Sequence, residues 1–255
     1  MNTIQRIQYA AELLAESRRI VSLTGAGIST PSGIPDFRSP QTGLWEHADV
    51  TVVASIWGFR SNPQAFYDWI SPLATSISTA SPNPAHLALA EMESMGMMRA
   101  VITQNIDGLH QRAGSQRVLE LHGNLNDMHC PACEHTEPMA SQVDDLSIPH
   151  KIPRCRICGE ALKPTIVLYG EMLPYDVLMD AQTEARLCKA MIIAGSSLEV
   201  TPACDLPVVA HSTGAKIILV NNEPTPLDDL ADVIIRDDVA TVLPAIVDGI
   251  RATLQ

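Results

Sequence analysis

Aromatic residues make up only 4% of this 255-residue chain. Any sheet must therefore be packed mainly by Ile, Val, Leu, Ala and Met, as in strands covered on both faces by helices. No stretch approaches the roughly 18 uninterrupted apolar residues of a membrane-spanning helix. The opening residues MNTIQRIQYAAELLAESRR lack the apolar core and small-residue cleavage site of a secretion signal. The chain reads as cytoplasmic with no membrane partner, and in that reducing compartment its six cysteines should not be disulfides. Lys/Arg clusters are missing as well. A formal net charge of −12 argues against nucleic-acid binding and favours small molecules or basic polypeptide segments as partners. No internal repeat or low-complexity segment is visible, and a monomer is expected.

What is present is a chain 46% apolar and long enough to bury a sizeable core. Ile4, Ile7, Ala11 and Leu14 recur at helical spacing. Short apolar runs follow: IVSLTG (20–25), AVITQ (100–104), VLELHG (118–123), TIVLYG (165–170), MIIAGSS (191–197), KIILVN (216–221) and DVIIR (232–236). They alternate with helix-like stretches at 84–94, 175–188, 202–212 and 239–251. The pattern predicts an α/β protein with a mostly parallel, doubly wound sheet. Two regions break the rhythm. About 39–84, where Pro, Ser and Thr are scattered through partly apolar sequence, is expected to be a helical insertion with mobile loops. Residues 127–163 lack the apolar content for a core of their own and should need a metal to fold. The expected division is 1–126 plus 164–255 for the main domain and 127–163 for the metal module.

Cys130 and Cys133 form one CxxC pair and Cys155 and Cys158 another, with 21 residues between them. Four thiolates close a tetrahedral shell around Zn²⁺ and leave no position for water, so the expected zinc is structural. His129 and His135 could substitute as ligands, but with four thiols available they read as solvated knuckle residues. Cys188 and Cys204 read as core packing.

In TGAGISTPSGIPDFR (24–38), Gly25 and Gly27 follow an apolar strand. They would let backbone amides approach a pyrophosphate, aided by the partial charge of a following helix start. The third glycine of the dinucleotide fingerprint is replaced by Thr30, and no second strand ends in an acidic residue at the right distance. A nucleotide fits this loop; hydride transfer does not. Asn105 and Asp107 in TQNID (103–107) sit where a buried strand empties into the crevice of an open α/β sheet, the place for a ligand.

GAGIS (25–29), GIPDFR (33–38), TQNID, LHG (121–123), both CxxC pairs, KPTIVLYGE (163–171), GSSLEV (195–200) and VNNEPT (220–225) resemble, in order and spacing, the motifs of the sirtuins of bacteria and archaea. These are NAD-dependent protein lysine deacylases. The resemblance covers nearly the whole chain. It implies a Rossmann-like domain, a small zinc-ribbon module, NAD as co-substrate, one structural Zn²⁺ per chain, and acyl-lysine proteins or peptides entering a cleft between the domains.

It also implies residue roles. His122 is similar to the family's general base, which draws a proton through the ribose hydroxyls; histidine as a residue type suits that task. Asp107 would accept the nicotinamide amide beside the Ile106 backbone, and Asn105 would position ribose and water. Phe37 would shield the reacting carbon, Arg38 would sit near phosphate and ribose, and Asp36 would order their loop. Gly25, Ala26, Gly27, Thr30, Gln104, Gly195, Ser196 and Ser197 would line ribose and phosphate, with Asn221, Glu223 and Val239 around adenosine. A substrate strand would be added between Val167, Gly170, Glu171 and Met172 on one side and Glu199 and Val200 on the other. His110 reads instead as a structural helix histidine.

Sirtuins that remove succinyl or malonyl groups carry Tyr-x-x-Arg where this chain has Tyr67-Asp68-Trp69-Ile70. Without the arginine, neutral acyl groups are expected to be preferred. The expected products are nicotinamide, 2′-O-acyl-ADP-ribose and free lysine. The alternative reading is protein mono-ADP-ribosyl transfer, in which a protein nucleophile intercepts the same bond cleavage.

Overall fold

A computed structural model describes residues 1–36, 49–142 and 151–254. Its elements run α1 (Thr3–Glu16), β1 (Ile20–Thr24), α2 (Val50–Val53), α3 (Ile56–Ser61), α4 (Pro63–Thr79), α5 (Pro84–Ser94), β2 (Met98–Thr103), α6 (Leu109–Arg112), β3 (Val118–Glu120), β4 (Asp127–His129), β5 (Thr136–Pro138) and β6 (Lys163–Pro164). They continue with α7 (Tyr175–Leu187), β7 (Ala190–Ala194), α8 (Asp205–Ser212), β8 (Lys216–Val220), β9 (Val233–Ile235) and α9 (Val239–Leu254). The chain divides into two compact units. One comprises Met1–Ile34, Ser81–Leu121 and Tyr175–Gln255; the other comprises Pro35–Ala80 and His122–Pro174.

The first unit is built on a six-stranded sheet in the order β3-β2-β1-β7-β8-β9, with every pair parallel. Every residue of β1 and β7 is buried, as expected for strands covered on both faces. Ile20, Ile192, Ala194, Ile218 and Val220 join one core cluster with Leu14 of α1, Leu89 of α5 and Leu243 and Ile246 of α9. The alternate residues Val21, Leu23, Met191, Ile193, Ile217 and Leu219 are equally buried, because successive side chains point to opposite faces. Asn2 starts α1 with a reciprocal cap to Gln5, and Asn83 caps α5 with Pro84 in its first turn, both satisfying donors that a helix start leaves open. Gly249 lets α9 lie close on α1, since a Cβ there would be 2.7 Å from Ala11 Cβ. The chain leaves β1 towards β2 on one side and resumes at β7 on the other, so the carboxyl ends of β1 and β7 flank the topological switch point, where open α/β sheets bind ligands.

In the second unit, α2, α3 and α4 lie within the segment expected to be a helical insertion. Phe59, Phe66 and Tyr67 meet edge to face, with ring centroids 5.2–6.4 Å apart. A three-stranded sheet in the order β5-β4-β6 is antiparallel throughout. One sequence expectation fails here: TIVLYG is not a strand. Residues 165–168 alternate in burial, but among the described residues 165–170 join no strand ladder, and Tyr169 makes only an isolated bridge to Ser55. Their amides go to scattered acceptors: Thr165 to Asp127, Val167 to His122, and Tyr169 to Ala54. Apolar alternation reports burial on one face; it does not say that a neighbouring strand exists.

Candidate active site

The GAGIS turn leaves β1 and enters two three-residue 3₁₀ turns, Ala26–Ile28 and Thr30–Ser32. The expected helix start is absent, because Pro31 and the left-handed Gly33 stop the winding. A helix dipole therefore cannot supply the positive charge. The amides of Gly25 and Gly27 are also already spent, on the carbonyls of Ala194 (3.2 Å) and Gly195 (2.9 Å). Glycine is required for a different reason. A Cβ on Gly25 would be 2.7 Å from the Gly195 oxygen, and one on Gly27 would be 2.8 Å from Gly195 Cα. Gly195 itself has φ +62° and packs against the Gly27–Ile28 backbone. The loops after β1 and β7 thus interlock backbone to backbone. Among the described residues only the Ala26 amide of this turn lacks an acceptor within the chain.

Asn105 and Asp107 are tied into that turn. Asn105 Nδ2 donates to the Gly25 carbonyl (3.0 Å) and to Ser29 Oγ (3.2 Å), which leaves its Oδ1 without a protein donor among the described residues. Ser29 Oγ donates to Asp107 Oδ2 at 2.7 Å, and the Leu109 amide donates to Oδ1 at 2.9 Å. Each carboxylate oxygen keeps a further lone pair. Both side chains are only 8% exposed. Gln104 Nε2 reaches across to Ser196 Oγ at 2.9 Å, joining the ends of β2 and β7. Ser29, Gln104, Asn105, Asp107, Gly195 and Ser196 therefore form one hydrogen-bonded group with Gly25 and Gly27. Ile106 and Ser197 are half-buried beside it in sequence, and Thr30 turns its hydroxyl back to the Gly27 carbonyl.

Behind this group lie two histidines. The Asn83 amide donates to His86 Nδ1 (3.4 Å), so the His86 proton sits on Nε2. Thr24 donates its hydroxyl to Thr103 (2.8 Å), so His110 Nε2, 2.9 Å from Thr24 Oγ1, must be the donor of that pair, leaving His110 Nδ1 as an acceptor. The rings are 4.8 Å apart, and both remaining nitrogens, His86 Nε2 and His110 Nδ1, are buried without a partner among the described residues. Burial lowers His86 to about 4, against a smaller opposing pull from Asp107. Burial and the neighbouring His86 lower His110 to about 3. His110 is structural, as its sequence context suggested.

The adenosine-side candidates lie at the end of β8 and the start of α9. Asn221 Nδ2 donates to the Glu223 carbonyl at 2.7 Å, its amide donates to Ile235, and its carbonyl accepts from Arg236. Glu223 is exposed, and Val239 is buried at the first position of α9. Glu199 is exposed and Val200 half-buried, after Leu198 at φ +56°. Asp36 is half-buried; Phe37 and Arg38 lie outside the described residues.

In the second unit His122 is half-buried, and its carbonyl accepts from the Val167 amide at 2.9 Å. Glu171 is not a free ligand: it pairs with the buried Lys163 Nζ (3.0 Å) and accepts from the Leu168 amide (2.8 Å). Gly170, at φ +89°, lies under the Trp57 ring, and Met172 is fully exposed. Tyr67 gives its hydroxyl to the Leu162 carbonyl at 2.6 Å and Ile70 is a core residue, so neither presents a charged or free polar group. The sulfurs of Cys130, Cys133, Cys155 and Cys158 lie within 4.8 Å of one another. The pairs Cys130–Cys158 and Cys133–Cys155 are 3.5 and 3.6 Å apart, close to the roughly 3.8 Å edge of a tetrahedron with 2.3 Å zinc–sulfur bonds. The donor set fits a structural Zn²⁺. His129 and His135 face Glu134 and Glu137 instead. Cys188 is buried, with its thiol raised to about 11 by burial; Cys204 is only half-buried at the start of α8, so core packing describes the first and not the second.

Sequence reasoning passed over Ser29, Asn83, His86 and Lys163. Ser29 lies inside a motif already singled out, whereas Asn83 and His86 look like an ordinary helix start in PNPAH.

A family model described as the Sir2 family matches residues 25–202. The NAD-dependent protein deacylase 2 of Archaeoglobus fulgidus is 50% identical over 96% of both chains. The NAD-dependent protein deacetylase of Thermodesulfovibrio yellowstonii is 42% identical over 97% of this chain and 96% of its own. Among solved structures, one described as Sir2Af2 bound to a myristoylated histone peptide covers 98% of both chains at 44% identity with a TM-score of 0.83.

Proposed function

The chain belongs to the Sir2 family of NAD-dependent protein deacylases, and on that premise we propose that it removes neutral acyl groups from lysine side chains, giving nicotinamide, 2′-O-acyl-ADP-ribose and free lysine. The observation that carries the reading is the buried Gly25–Asn105–Ser29–Asp107 hydrogen-bond group at the carboxyl ends of β1 and β2. Its spare valences suit the cofactor. Asp107 can accept an amide N–H, Asn105 Oδ1 can take a ribose or water hydrogen, and the Ala26 amide can meet a phosphate oxygen. NAD supplies, when bound, a sugar carbon that becomes reactive as nicotinamide departs.

The protein's part is to hold that leaving group and to move a proton. A fixed, water-poor set of acceptors around the departing amide favours bond breaking over simple retention of the cofactor. Ser29, pinned between Asn105 and Asp107, keeps both aligned. His122 serves as the base, its imidazole taking a proton from a ribose hydroxyl. The acyl preference rests on Tyr67 and Ile70: no cation from this pair meets an acidic acyl group.

Incubation with NAD and a panel of acyl-lysine peptides tests the assignment, with both products identified by mass. Free lysine peptide plus acyl-ADP-ribose is expected, faster from acetyl than from succinyl peptide. ADP-ribose mass on protein with the acyl group retained would contradict it.

A further inference from the structure

We propose that Lys163 is a positioning residue for the substrate: tied to Glu171, it shapes the 164–171 arc so that unpaired backbone groups of Val167 and Gly170 are held ready for an incoming peptide strand. The inference deepens the deacylase reading and rests on it.

Lys163 is 3% exposed. Its ammonium donates to the carbonyls of Pro164 (3.2 Å) and Ile166 (2.7 Å) and pairs with Glu171 at 3.0 Å. Three donors thus meet three acceptors, all on the arc that follows it. Glu171 closes the loop by taking the Leu168 amide with its side chain, while its own amide donates to the Leu168 carbonyl. The arc has no strand ladder beyond the two residues of β6, so this clip stands in for one. Its other ties are the Thr165 amide on the Asp127 carbonyl and the Thr165 hydroxyl on that of Asn124, the Val167 amide on the His122 carbonyl, and Tyr169 exchanging bonds with Ala54 and Ile56.

After this accounting, the Val167 carbonyl and the Gly170 amide and carbonyl have no partner among the described residues. They lie on the arc whose end borders, at Gly170 and Met172, an open pocket of about 370 Å³ shared with Trp57 and Arg60. A segment with free main-chain groups is what strand addition needs. Fold stability alone gives little reason for the clip, since a buried ion pair contributes less than a well-packed apolar pair of the same volume. Placement of the arc gives a better one.

The test compares the full-length, zinc-loaded protein with its Lys163→Met, Glu171→Gln and Lys163→Arg variants. Peptide KM, NAD KM and amide exchange along the chain are measured. Lys163→Met and Glu171→Gln should raise the KM for an acetyl-lysine peptide roughly tenfold or more and speed exchange of the Val167 and Leu168 amides. The NAD KM should stay within about twofold, the amides of Cys130 and Glu134 should keep their protection, and Lys163→Arg should recover most of the peptide KM. Unchanged peptide KM and exchange in Lys163→Met overturn the proposal. So does a parallel loss of NAD binding and knuckle protection, which marks a general structural role. A wild type that consumes no NAD with acyl peptide refutes the deacylase reading and this proposal with it; a wild type that turns over while Lys163→Met matches its peptide KM refutes this proposal alone.

Discussion

His86 and His110 lie buried beside the strand ends, with His110 on Thr24, and their protonation bears on stability. Burial lowers them to about 4 and about 3, whereas an unfolded histidine titrates near 6.5. Between those values the unfolded chain binds protons that the folded chain does not, so stability falls as pH drops below about 6.5, by at most roughly 1.4 kcal/mol per unit for each group. Above that pH neither histidine contributes to the pH dependence. Nitrogen NMR at pH 5 should find both rings neutral, with the proton of each on Nε2; an imidazolium signal from either would contradict the hydrogen-bond accounting. At this scale the spacing of the cysteines was legible and the structure gathers all four sulfurs, while Asn105 and Asp107, singled out for their place at a strand end, meet through Ser29. It was a poor guide to Gly25 and Gly27. Their role in backbone interlock depends on Gly195, 168 residues beyond Gly27, which no local pattern reveals.

Among the elements, the parallel strands were legible because β1, β2, β7 and β8 are short, continuous apolar runs between helical stretches. The arc 165–170 carries the same signature and has no ladder, for the reason that its partner groups come from Asp127, His122 and Ala54 separately. The turn after β1 was misread as a helix start because glycine-rich loops usually open one, whereas Pro31 and Gly33 here limit it to 3₁₀ turns. A dependence of the cysteine knuckles on metal is the expectation: β4 and β5 have three residues each and β6 has two, which is little for independent stability. Titrating the thiolates with a mercurial in the presence of a zinc indicator should release one Zn²⁺ per chain and lower the thermal midpoint, since metal binding is folding energy in such modules. Absence of zinc, or its release without loss of stability, would contradict a structural site.

For the molecule as a whole, a charge of −12 would speed encounter with basic peptides at low salt. The central claim is more local: the group at the ends of β1 and β2 holds and releases nicotinamide. Asp107 is the member whose loss separates binding from cleavage, because its carboxylate has spare lone pairs and its removal leaves Ser29 and Leu109 with unanswered donors. The most direct measurement is nicotinamide release from NAD in the presence of acetyl-lysine peptide, comparing wild type with Asp107→Asn. The variant keeps the shape and loses the charge. A fall of about a hundredfold or more in kcat/KM, with zinc content unchanged, is predicted; release at the wild-type rate would contradict the account.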